Sequence, residues 1–528
     1  MMKKIILAAC LMAALPAVAQ ETYENANIMT EDLNGTARYV GMGGAMEALG
    51  ADISTMSSNP AGIGLMRRSS ASVSFGVISQ QDAENFDFGK KTRLSLDQGG
   101  FVMSQRTGER SFLNFGVGFR KSRNFSHILK ASDNLSGASQ HKLSYAKGYE
   151  GVFYPDFDKD GDVYGYESEN STFVSNAFNQ LDYLYFNSLI RESDDNFYYD
   201  EASNYTMNRA NKGSIDEYDF NISGNIQDRV YLGLTVGVKD VHYKNYSEYS
   251  ENLVGTGPVM VADNRWIKGT GFDIKAGVIF RPVEASAFRI GLYVNTPTWY
   301  SLTTENFTEL NNNTTGGFCD YWESEESYDF KLYTPWKFGA SLGHTVGDYL
   351  ALGATYEFSD YSSADTRIIT GRDYDWYYDS YTDRTESDRA MNNHTSSTLK
   401  GVSTLKVGAE YKPDKDIAVR FGYNYVSPMY KSSGYKDGTL MSPGVYYSST
   451  TDYTNWKATH RITCGLGYTT GDFNLDLAYQ YNVQNGDFSP FMCYYASAGD
   501  TNITDNEVKP TEVSNKRHQV LFTVGYRF

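Results

Sequence analysis

The sequence predicts an all-β protein, a 14-stranded antiparallel transmembrane β-barrel with a small N-terminal hatch inside its lumen. Three observations predict this fold. Apolar and polar residues alternate over many runs of ten residues or more, the links between these runs alternate between short and long, and the chain ends on an aromatic strand. Because strands of soluble domains run about 5–6 residues and a tilted membrane strand needs about 9–11, the long runs favour a membrane barrel.

The alternation is clearest near the C-terminus. One face of a predicted strand carries Ile417, Val419, Phe421, Tyr423 and Tyr425, and the residues between them are polar or small. Successive residues of a strand point to opposite faces, so this strand has one apolar and one polar face. That pattern is typical of a barrel with a lipid-facing exterior and a polar lumen.

The runs define 14 strands and the links between them. We expect strands near residues 69–82, 93–105, 110–124, 214–226, 229–250, 268–281, 287–300, 326–346, 348–369, 397–412, 416–427, 456–470, 472–484 and 514–528. Long links fall near 83–92, 125–213 (the longest), 251–267, 301–325, 370–396, 428–455 and 485–513. Short periplasmic turns that alternate with long extracellular loops are characteristic of bacterial barrels.

The two ends of the chain support export to an outer membrane. Residues 1–19 fit a signal peptide, with Lys3 and Lys4 before an apolar run and Ala17-Val18-Ala19 as the cleavage site. A rival interpretation, a lipoprotein box that ends at Cys10, leaves an apolar run of only about five residues. The last strand ends at Phe528 and resembles the terminal strand that the barrel-assembly machinery of bacteria reads; the alternative is an ordinary edge strand that ends in Phe.

Composition excludes several classes of function. The chain has 528 residues and a net charge of -17, so nucleic acid is not an expected partner. The seven histidines are scattered, and no G-x-S-x-G elbow occurs, so we expect no enzymatic activity, although a triad assembled across strands is invisible in a sequence. Residues 20–68 are too few for a separate plug domain but suffice for a compact hatch inside a barrel formed by 69–528.

Within this segment, residues 34–45 read NGTARYVGMGGA, and the stretches ADIST (51–55) and SSNPAGI (57–63) follow. This order resembles the hatch of the long-chain fatty acid and aromatic-hydrocarbon transporter family of the outer membrane (the FadL/TodX type), in its Bacteroidetes-like form. The close match covers about residues 34–75. The resemblance implies that loops capture a hydrophobic ligand, that it enters a pocket in the barrel, and that hatch movement with an inward kink in the third strand releases it sideways.

Two hatch motifs have structural as well as gating interpretations. The resemblance implies a gating role for Asn59, Pro60 and Ala61, whereas the alternative is a rigid connector, because proline fixes its own φ and restricts the residue before it. The glycines at Gly41, Gly43 and Gly44 do not form a dinucleotide fingerprint, since position 46 is Met. They are expected to allow close backbone packing inside the barrel.

An acidic stretch in the longest link matches a calcium loop. Its expected ligands are Asp156, Asp158, Asp160, Asp162 and Glu167, with Gly161 at the sharp turn. Short carboxylates in this spacing wrap a hard cation, so a structural calcium ion is the one cofactor that the sequence indicates. The alternative is a solvated acidic loop that matches by chance.

The strand faces place a set of cations in the lumen. These are Arg120, Lys239, Lys275, Arg289, Lys406, Arg420 and Arg461. Lumen cations exceed lumen acids, which favours a ligand with a carboxylate head group. The alternative is a solvated interior whose charges pair with one another.

The sequence therefore predicts an outer-membrane channel that imports hydrophobic small molecules, such as long-chain fatty acids, by hatch-gated passive diffusion. Its expected partners are that ligand, outer-membrane lipid and lipopolysaccharide, and the barrel-assembly machinery. Two alternatives stay open: a general porin with a water-filled lumen, and a structural or adhesive surface protein. Neither of them needs a hatch.

Overall fold

The structure is a computed structural model that describes residues 21–157, 163–166, 177–193, 196–313, 319–377, 379–497, 500 and 502–528. Its strands are β1 Ser70–Gln80, β2 Thr92–Arg106, β3 Phe112–Asn124 and His127–Asn134, β4 Ala202–Ile226, β5 Val230–Leu253, β6 Gly257–Phe280, β7 Arg289–Asn295 and Trp299–Asn313, β8 Cys319–Tyr333 and Lys337–Val346, β9 Leu350–Asp360 and Asp365–Asp375, β10 Ser380–Ser387 and Gly401–Tyr411, β11 Ile417–Val426, β12 Tyr453–Thr470, β13 Phe473–Ser489 and β14 Thr511–Arg527. The signal peptide, at residues 1–19, lies outside the described residues.

These strands form one closed antiparallel barrel. Each strand pairs with its neighbours in the chain, and β1 pairs with β14 from Ser70↔Arg527 to Gln80↔Arg517. The prediction of a 14-stranded antiparallel barrel is therefore confirmed. Closure satisfies the backbone groups that an open sheet would expose at its edges.

The alternation of the sequence separates an apolar exterior from a polar interior. On β11, Phe421 has 64% of its surface exposed while its neighbour Arg420 is buried. The same holds on β12 for Ile462 and Arg461. No helix among the described residues has the length and apolarity to cross a membrane.

The strands reach further toward the long links than the sequence indicates. Residues 202–213 belong to β4 and 127–134 continue β3, so the link predicted at 125–213 shrinks to 135–201. The links predicted at 251–267 and 301–325 are largely strand as well. This part of the prediction was wrong because β7, beyond Leu302, reads TTENFTELNNN, which is polar on both faces and hides the alternation.

The helices lie in the hatch and in the long links. The hatch contains α1 Thr22–Met29 and α2 Ala37–Gly41, followed by 3-10 turns at Ile53–Ser57 and Pro60–Leu65. The links contain α3 Gln140–Tyr149, α4 Gln180–Ser188 and α6 Pro443–Tyr446, with small hairpins at Tyr154–Phe157 with Val163–Tyr166 and Arg191–Ser193 with Asn196–Phe197. The 3-10 turn Tyr361–Ser363 lies between the two segments of β9, and α5 Arg389–Thr398 lies between the two segments of β10.

The links at the long-loop end of the barrel pack into a cap. Its core includes Phe153, Phe178 and Phe186, which join inward-facing residues near the strand ends, such as Leu310 and Phe488, in one buried cluster. A buried ion pair between Lys147 of α3 and Asp182 of α4 lies beside these rings. The long-loop end is therefore covered by a packed cap.

Candidate functional site

The hatch runs through the lumen between the two ends of the barrel. At its start, the ring of Tyr23 stacks on Tyr430 with a centroid distance of 4.9 Å, and the Thr22 hydroxyl lies 2.9 Å from that of Thr395 in α5. At its end, the hatch joins β1 after Leu65. The residues from Thr22 to Gly64 are mostly buried, so the hatch fills the lumen rather than lining it.

A row of glycines on the barrel wall receives the hatch backbone. Gly343, Gly353, Gly408 and Gly422 are direct register partners across β8, β9, β10 and β11. A Cβ on Gly353 would overlap the carbonyl oxygen of Ala45, and one on Gly408 would overlap that of Met42. Because no side chain intervenes, the hatch backbone reaches the wall itself.

The hatch glycines occupy the matching positions. Gly43 has φ 64° and Gly44 φ 77°, which favours glycine. A Cβ on Gly43 would lie 2.8 Å from the backbone nitrogen of Tyr423, and one on Gly41 would lie 3.3 Å from the Cα of Gly465. Gly41 and Gly43 therefore approach the wall backbone closely, as expected, whereas Gly44 packs against the side chains of Leu33, Tyr39 and Lys406.

Asn59, Pro60 and Ala61 pack against the neighbouring strands β5, β6 and β7. The Asn59 amide accepts from the Ala61 N–H at 3.2 Å and donates to the Glu47 carbonyl at 3.0 Å. Pro60 begins a 3-10 turn, where its missing N–H costs nothing. A Cβ on Gly233 of β5 would overlap the backbone of Pro60 and Ala61. The motif is thus a rigid wedge, and its gating role stays a prediction.

The lumen cations of the wall pair with carboxylates. Lys275 lies 2.6 Å from Asp273 and 2.7 Å from Glu217, and Arg120 lies 2.6 Å from Glu217. Lys239 lies 3.2 Å from Asp273. Arg289 instead donates to the carbonyl of Leu49 in the hatch. Much of the wall charge is therefore compensated inside the barrel.

Hatch carboxylates supply the rest of this compensation, and sequence reasoning missed them. Glu47 lies 2.9 Å from Lys406, and Glu31 lies 2.8 Å from Lys337. The opposite arrangement, a hatch cation on a wall carboxylate, also occurs. Arg38 of the hatch lies 3.0 Å from Glu410, and Arg420 of the wall lies 2.6 Å from the same carboxylate. Composition was the signal that could have revealed these hatch residues, because residues 20–66 contain six carboxylates and one arginine and could therefore pair with the wall cations.

Glu31 and Asp32 are held in the charged state. Burial alone would raise the pKa of the Glu31 carboxyl, but Lys337, Lys239 and Arg120 outweigh burial and hold that pKa well below its usual range. Burial also opposes the charge of Asp32, and its arginine partners again win and lower its pKa. Both side chains therefore act as anions in the lumen.

The wall has a gap between β2 and β3, where the hatch takes the place of a strand. The β2–β3 ladder ends at Gln98↔Arg120, and Thr92 to Leu96, all described residues, pair only with β1. The register of β3 on β4 shifts beyond Lys121.

The hatch hydrogen bonds close this gap. The Asp32 N–H donates to the Ser122 carbonyl at 2.8 Å, and the Asp32 carboxylate accepts from the Asn124 N–H at 2.9 Å. The Asn34 amide donates to the Lys121 carbonyl and, across the gap, to Asp97 of β2, at 3.1 and 3.0 Å. Asp32 and Asn34 therefore form a stopper in the side of the barrel.

A cavity of about 250 Å³ lies between the stopper and the cap. Its wall combines aromatic side chains with charged ones of both signs. The aromatic side chains include Tyr23, Phe125, Tyr243, Tyr361, Tyr430, Tyr453 and Trp456, the cations include Arg120, Arg123, Arg209, Arg265, Arg461 and Arg517, and the carboxylates include Glu31, Asp32, Asp263 and Asp452. Such a wall suits a ligand with an apolar body and a polar or anionic end.

Most of the predicted calcium loop lies outside the described residues. Asp156 lies in the first strand of a short hairpin, while Asp158, Asp160, Asp162 and Glu167 are not among the residues that the structure describes. Among the described residues, no group of three or more His, Cys, Asp or Glu side chains is arranged to hold a metal ion. Calcium binding stays a prediction.

Solved structures share the architecture of this chain. It is similar to the crystal structure of a Pseudomonas aeruginosa FadL homologue, with a TM-score of 0.50, 11% identity, and coverage of 94% of this chain and 99% of that one. The structure of the Pseudomonas putida toluene transporter TodX matches with a TM-score of 0.48 and 12% identity. That of the Ralstonia pickettii toluene transporter TbuX matches with a TM-score of 0.46 and 14% identity, and both have the same coverage as the FadL homologue.

Sequence comparisons add no relatives, since no protein-family model and no curated protein matches the chain. At 11% identity, the likeness to the FadL homologue shows the fold, a barrel of the type that the hatch sequence resembles.

Proposed function

We propose that this protein is an outer-membrane channel that takes up hydrophobic small molecules by hatch-gated passive diffusion. The observation that carries the proposal is the stoppered gap between β2 and β3 beside an aromatic cavity. A ligand that leaves through this gap enters the membrane plane without crossing the polar short-turn half of the lumen. This route suits an apolar molecule, because the bilayer is its favoured environment.

The cap and the exterior support the orientation of the channel. The apolar exterior suits a bilayer, and the long links would face outward and the short turns the periplasm. Lipopolysaccharide and lipid would then contact the wall, and the assembly machinery would read the strand that ends at Phe528. Asn59, Pro60 and Ala61 would guide hatch movement as a rigid unit.

The filled lumen argues against a general porin. A porin keeps a continuous water-filled path, whereas here the hatch backbone contacts the wall glycines. We therefore expect the wild-type protein to show no stable open conductance in a planar bilayer. A chain that lacks residues 21–58 is expected to conduct, because the deletion removes most of the hatch, including Arg38 and the hatch carboxylates.

Uptake tests the proposal directly. In a Gram-negative host without a fatty acid channel of its own, expression is expected to increase accumulation of radiolabelled dodecanoate and of toluene over an empty barrel control. Equal accumulation with and without the protein, together with lost adhesion on its deletion from its native host, would favour the surface-protein alternative. A stable wild-type conductance would favour the porin.

A further inference from the structure

The second segment of β9 and the first segment of β10 form a hairpin that projects from the long-loop end of the barrel. Asp365–Asp375 pairs with Ser380–Ser387, and its ladder with β8 consists of three pairs that end at Lys331↔Arg367. Among the described residues, Ser380–Ser387 has no strand partner on its other edge. The outer half of this element, the projecting hairpin, therefore stands beyond the wall that encloses the lumen.

Aromatic side chains lie together at the tip of the projecting hairpin. Tyr374, Trp376, Tyr377 and Tyr381 have between 53% and 82% of their surface exposed. Tyr374 and Tyr381 are cross-strand partners whose ring centroids lie 5.1 Å apart. The rings of Trp376 and Tyr377, in the turn, lie 6.2 Å apart. Contiguous exposed rings of this kind mark an interaction site.

Ion pairs brace the hairpin below these rings. Arg372 lies 3.4 Å from Asp329 of β8 and 3.3 Å from Asp383. Lys331 of β8 lies 3.1 Å from the same Asp383. These partly exposed charges separate the tip from the apolar exterior of the barrel, so the rings lie on the water side of the bilayer. A braced platform of rings also loses little conformational entropy when it binds a ligand.

The charges around the rings favour a neutral ligand. Residues 373–383 contain four Asp and no Lys or Arg, so an anionic group is repelled. Two of these carboxylates are already compensated, since Asp373 pairs with Arg384 and Asp383 pairs with Arg372. A cationic partner therefore finds little uncompensated charge at the tip.

The tip does not suit a partner protein or a second copy of this chain. Residues 370–387 contain no Ala, Val, Leu, Ile or Met. The four rings at the end of two strands also offer less than the roughly 800 Å² per partner that a specific protein interface buries. The free edge of Ser380–Ser387 carries Asp383, Arg384 and Glu386, and such charges oppose the addition of a further strand.

A pyranose sugar matches these features. Its C–H groups form an apolar face that stacks on aromatic rings, and the hydroxyl groups around that face donate to carboxylates. Asp379 supplies such a carboxylate beside the rings, since it accepts from the Tyr374 hydroxyl at 2.6 Å. The tip thus combines flat apolar surfaces with acceptors at their edge.

We propose that the projecting hairpin binds a neutral polysaccharide from the medium, with sugar rings stacked on Trp376, Tyr377 and Tyr381. The rings lie at the end of the hairpin rather than along the barrel wall, where lipopolysaccharide of the same membrane would stand. The occupant therefore comes from the medium. This binding function is separate from uptake through the lumen.

Biolayer interferometry of the full-length protein in detergent micelles tests the inference. The probes are four neutral polysaccharides, laminarin, dextran, pullulan and galactomannan, and we expect at least one of them to bind. Trp376→Ala combined with Tyr381→Ala removes two stacking faces and is expected to weaken that binding at least about tenfold. Trp376→Phe keeps a ring face and is expected to retain the affinity within about threefold.

Tyr495→Ala is the matched control, because it removes a ring that is 63% exposed in another long link. It is expected to leave the affinity unchanged. Dextran sulfate and polylysine serve as anionic and cationic probes and are expected not to bind the tip. Binding of none of the neutral polysaccharides, or an equal loss of affinity in Tyr495→Ala, would overturn the inference. A tip that prefers either charged probe would also overturn it.

A measurement on the wild type needs no variant to fold. The polysaccharide that binds is expected to slow the oxidation of Trp376 by N-bromosuccinimide, read by peptide mass spectrometry, whereas purified lipopolysaccharide of the host is not. Protection by lipopolysaccharide alone, or by neither, contradicts the proposal. The double variant is expected to take up dodecanoate as the wild type does. Reduced uptake would assign these rings to the channel and overturn a separate binding function.

Discussion

The two halves of the lumen hold their contents in opposite ways. In the short-turn half, hatch backbone lies on wall glycines, and Arg38 and Arg420 share Glu410. In the long-loop half, arginines line a cavity and keep buried nitrogens without partners in the described chain. Close packing resists change, while unsatisfied polar groups favour a ligand. In the proposed function, the first half acts as a seal and the second as a receptor.

The largest effect is expected from a methyl group in the seal. Gly353→Ala would force a Cβ into the carbonyl oxygen of Ala45, and because both are backbone-anchored, the hatch must leave its seat. We expect a persistent conductance in planar bilayers and proteolysis of the hatch in the folded barrel.

Gly224→Ala is the matched control for this variant, since a Cβ on Gly224 of β4 meets nothing within 4 Å. It is expected to behave as wild type. Wild-type conductance and wild-type proteolysis in Gly353→Ala would show that the hatch does not rest on the glycine row.

The second effect concerns the charge that two arginines share. Glu410→Gln leaves Arg38 without its carboxylate and Arg420 with Asp476 alone, in a site where the Glu410 side chain is 4% exposed. Removal of one partner from a buried pair typically costs about 3–5 kcal/mol. We expect a lower midpoint for thermal unfolding on semi-native electrophoresis. An unchanged midpoint would mean that water replaces the carboxylate.

The receptor half is expected to respond to pH through its cap. Burial lowers the pKa of His141 in α3 from its ordinary value of 6.5 to about 3. The folded cap thus disfavours protonation of His141. The free energy of unfolding of the cap is therefore highest above pH 6.5 and falls as the pH drops toward 3. By pH 5 the loss is about 2 kcal/mol.

Hydrogen exchange of residues 140–149 at pH 7 and pH 5 measures this loss. His141→Gln, which does not titrate, is expected to remove the pH dependence while it lowers the stability of the cap at both values. Exchange that accelerates equally in wild type and variant between these values would assign the effect to another group.

The smallest effect is expected outside the barrel. Lys268 and Glu305 form an ion pair at 2.5 Å on the outer face of β6 and β7, where both side chains are about half exposed. Exposed pairs contribute roughly 0–1 kcal/mol. Lys268→Gln is therefore expected to leave conductance, uptake and the thermal midpoint unchanged within error. A clear loss would show that this surface takes part in ligand capture.

The sequence predicted the barrel far better than the receptor. Alternation in β11 to β14 marks the strands because one face meets lipid, and the Gly41 to Gly44 stretch marks a close backbone approach. The polar extension of β7 carries no such contrast, so its bounds were missed. Asp32 and Asn34 lie in an ordinary polar run, and their importance arises only where the closed barrel brings β3, β12 and β14 around them.

The seven wall cations illustrate the same limit. Their inward direction follows from strand periodicity, and the structure places Arg120, Lys239 and Lys275 among wall carboxylates and Arg461 at the cavity. Which cation is compensated depends on pairs between residues distant in the chain, and a single sequence does not report them.

The central claim is that the stopper must leave the gap for transport, and a reversible crosslink tests it most directly. Asn34→Cys and Asp97→Cys, in a background without the native cysteines, replace a hydrogen bond of 3.0 Å between hatch and β2. With the disulfide formed in intact cells, we expect uptake of radiolabelled dodecanoate to stop while binding persists, and reduction to restore uptake. Full uptake through a fully crosslinked protein would contradict the account.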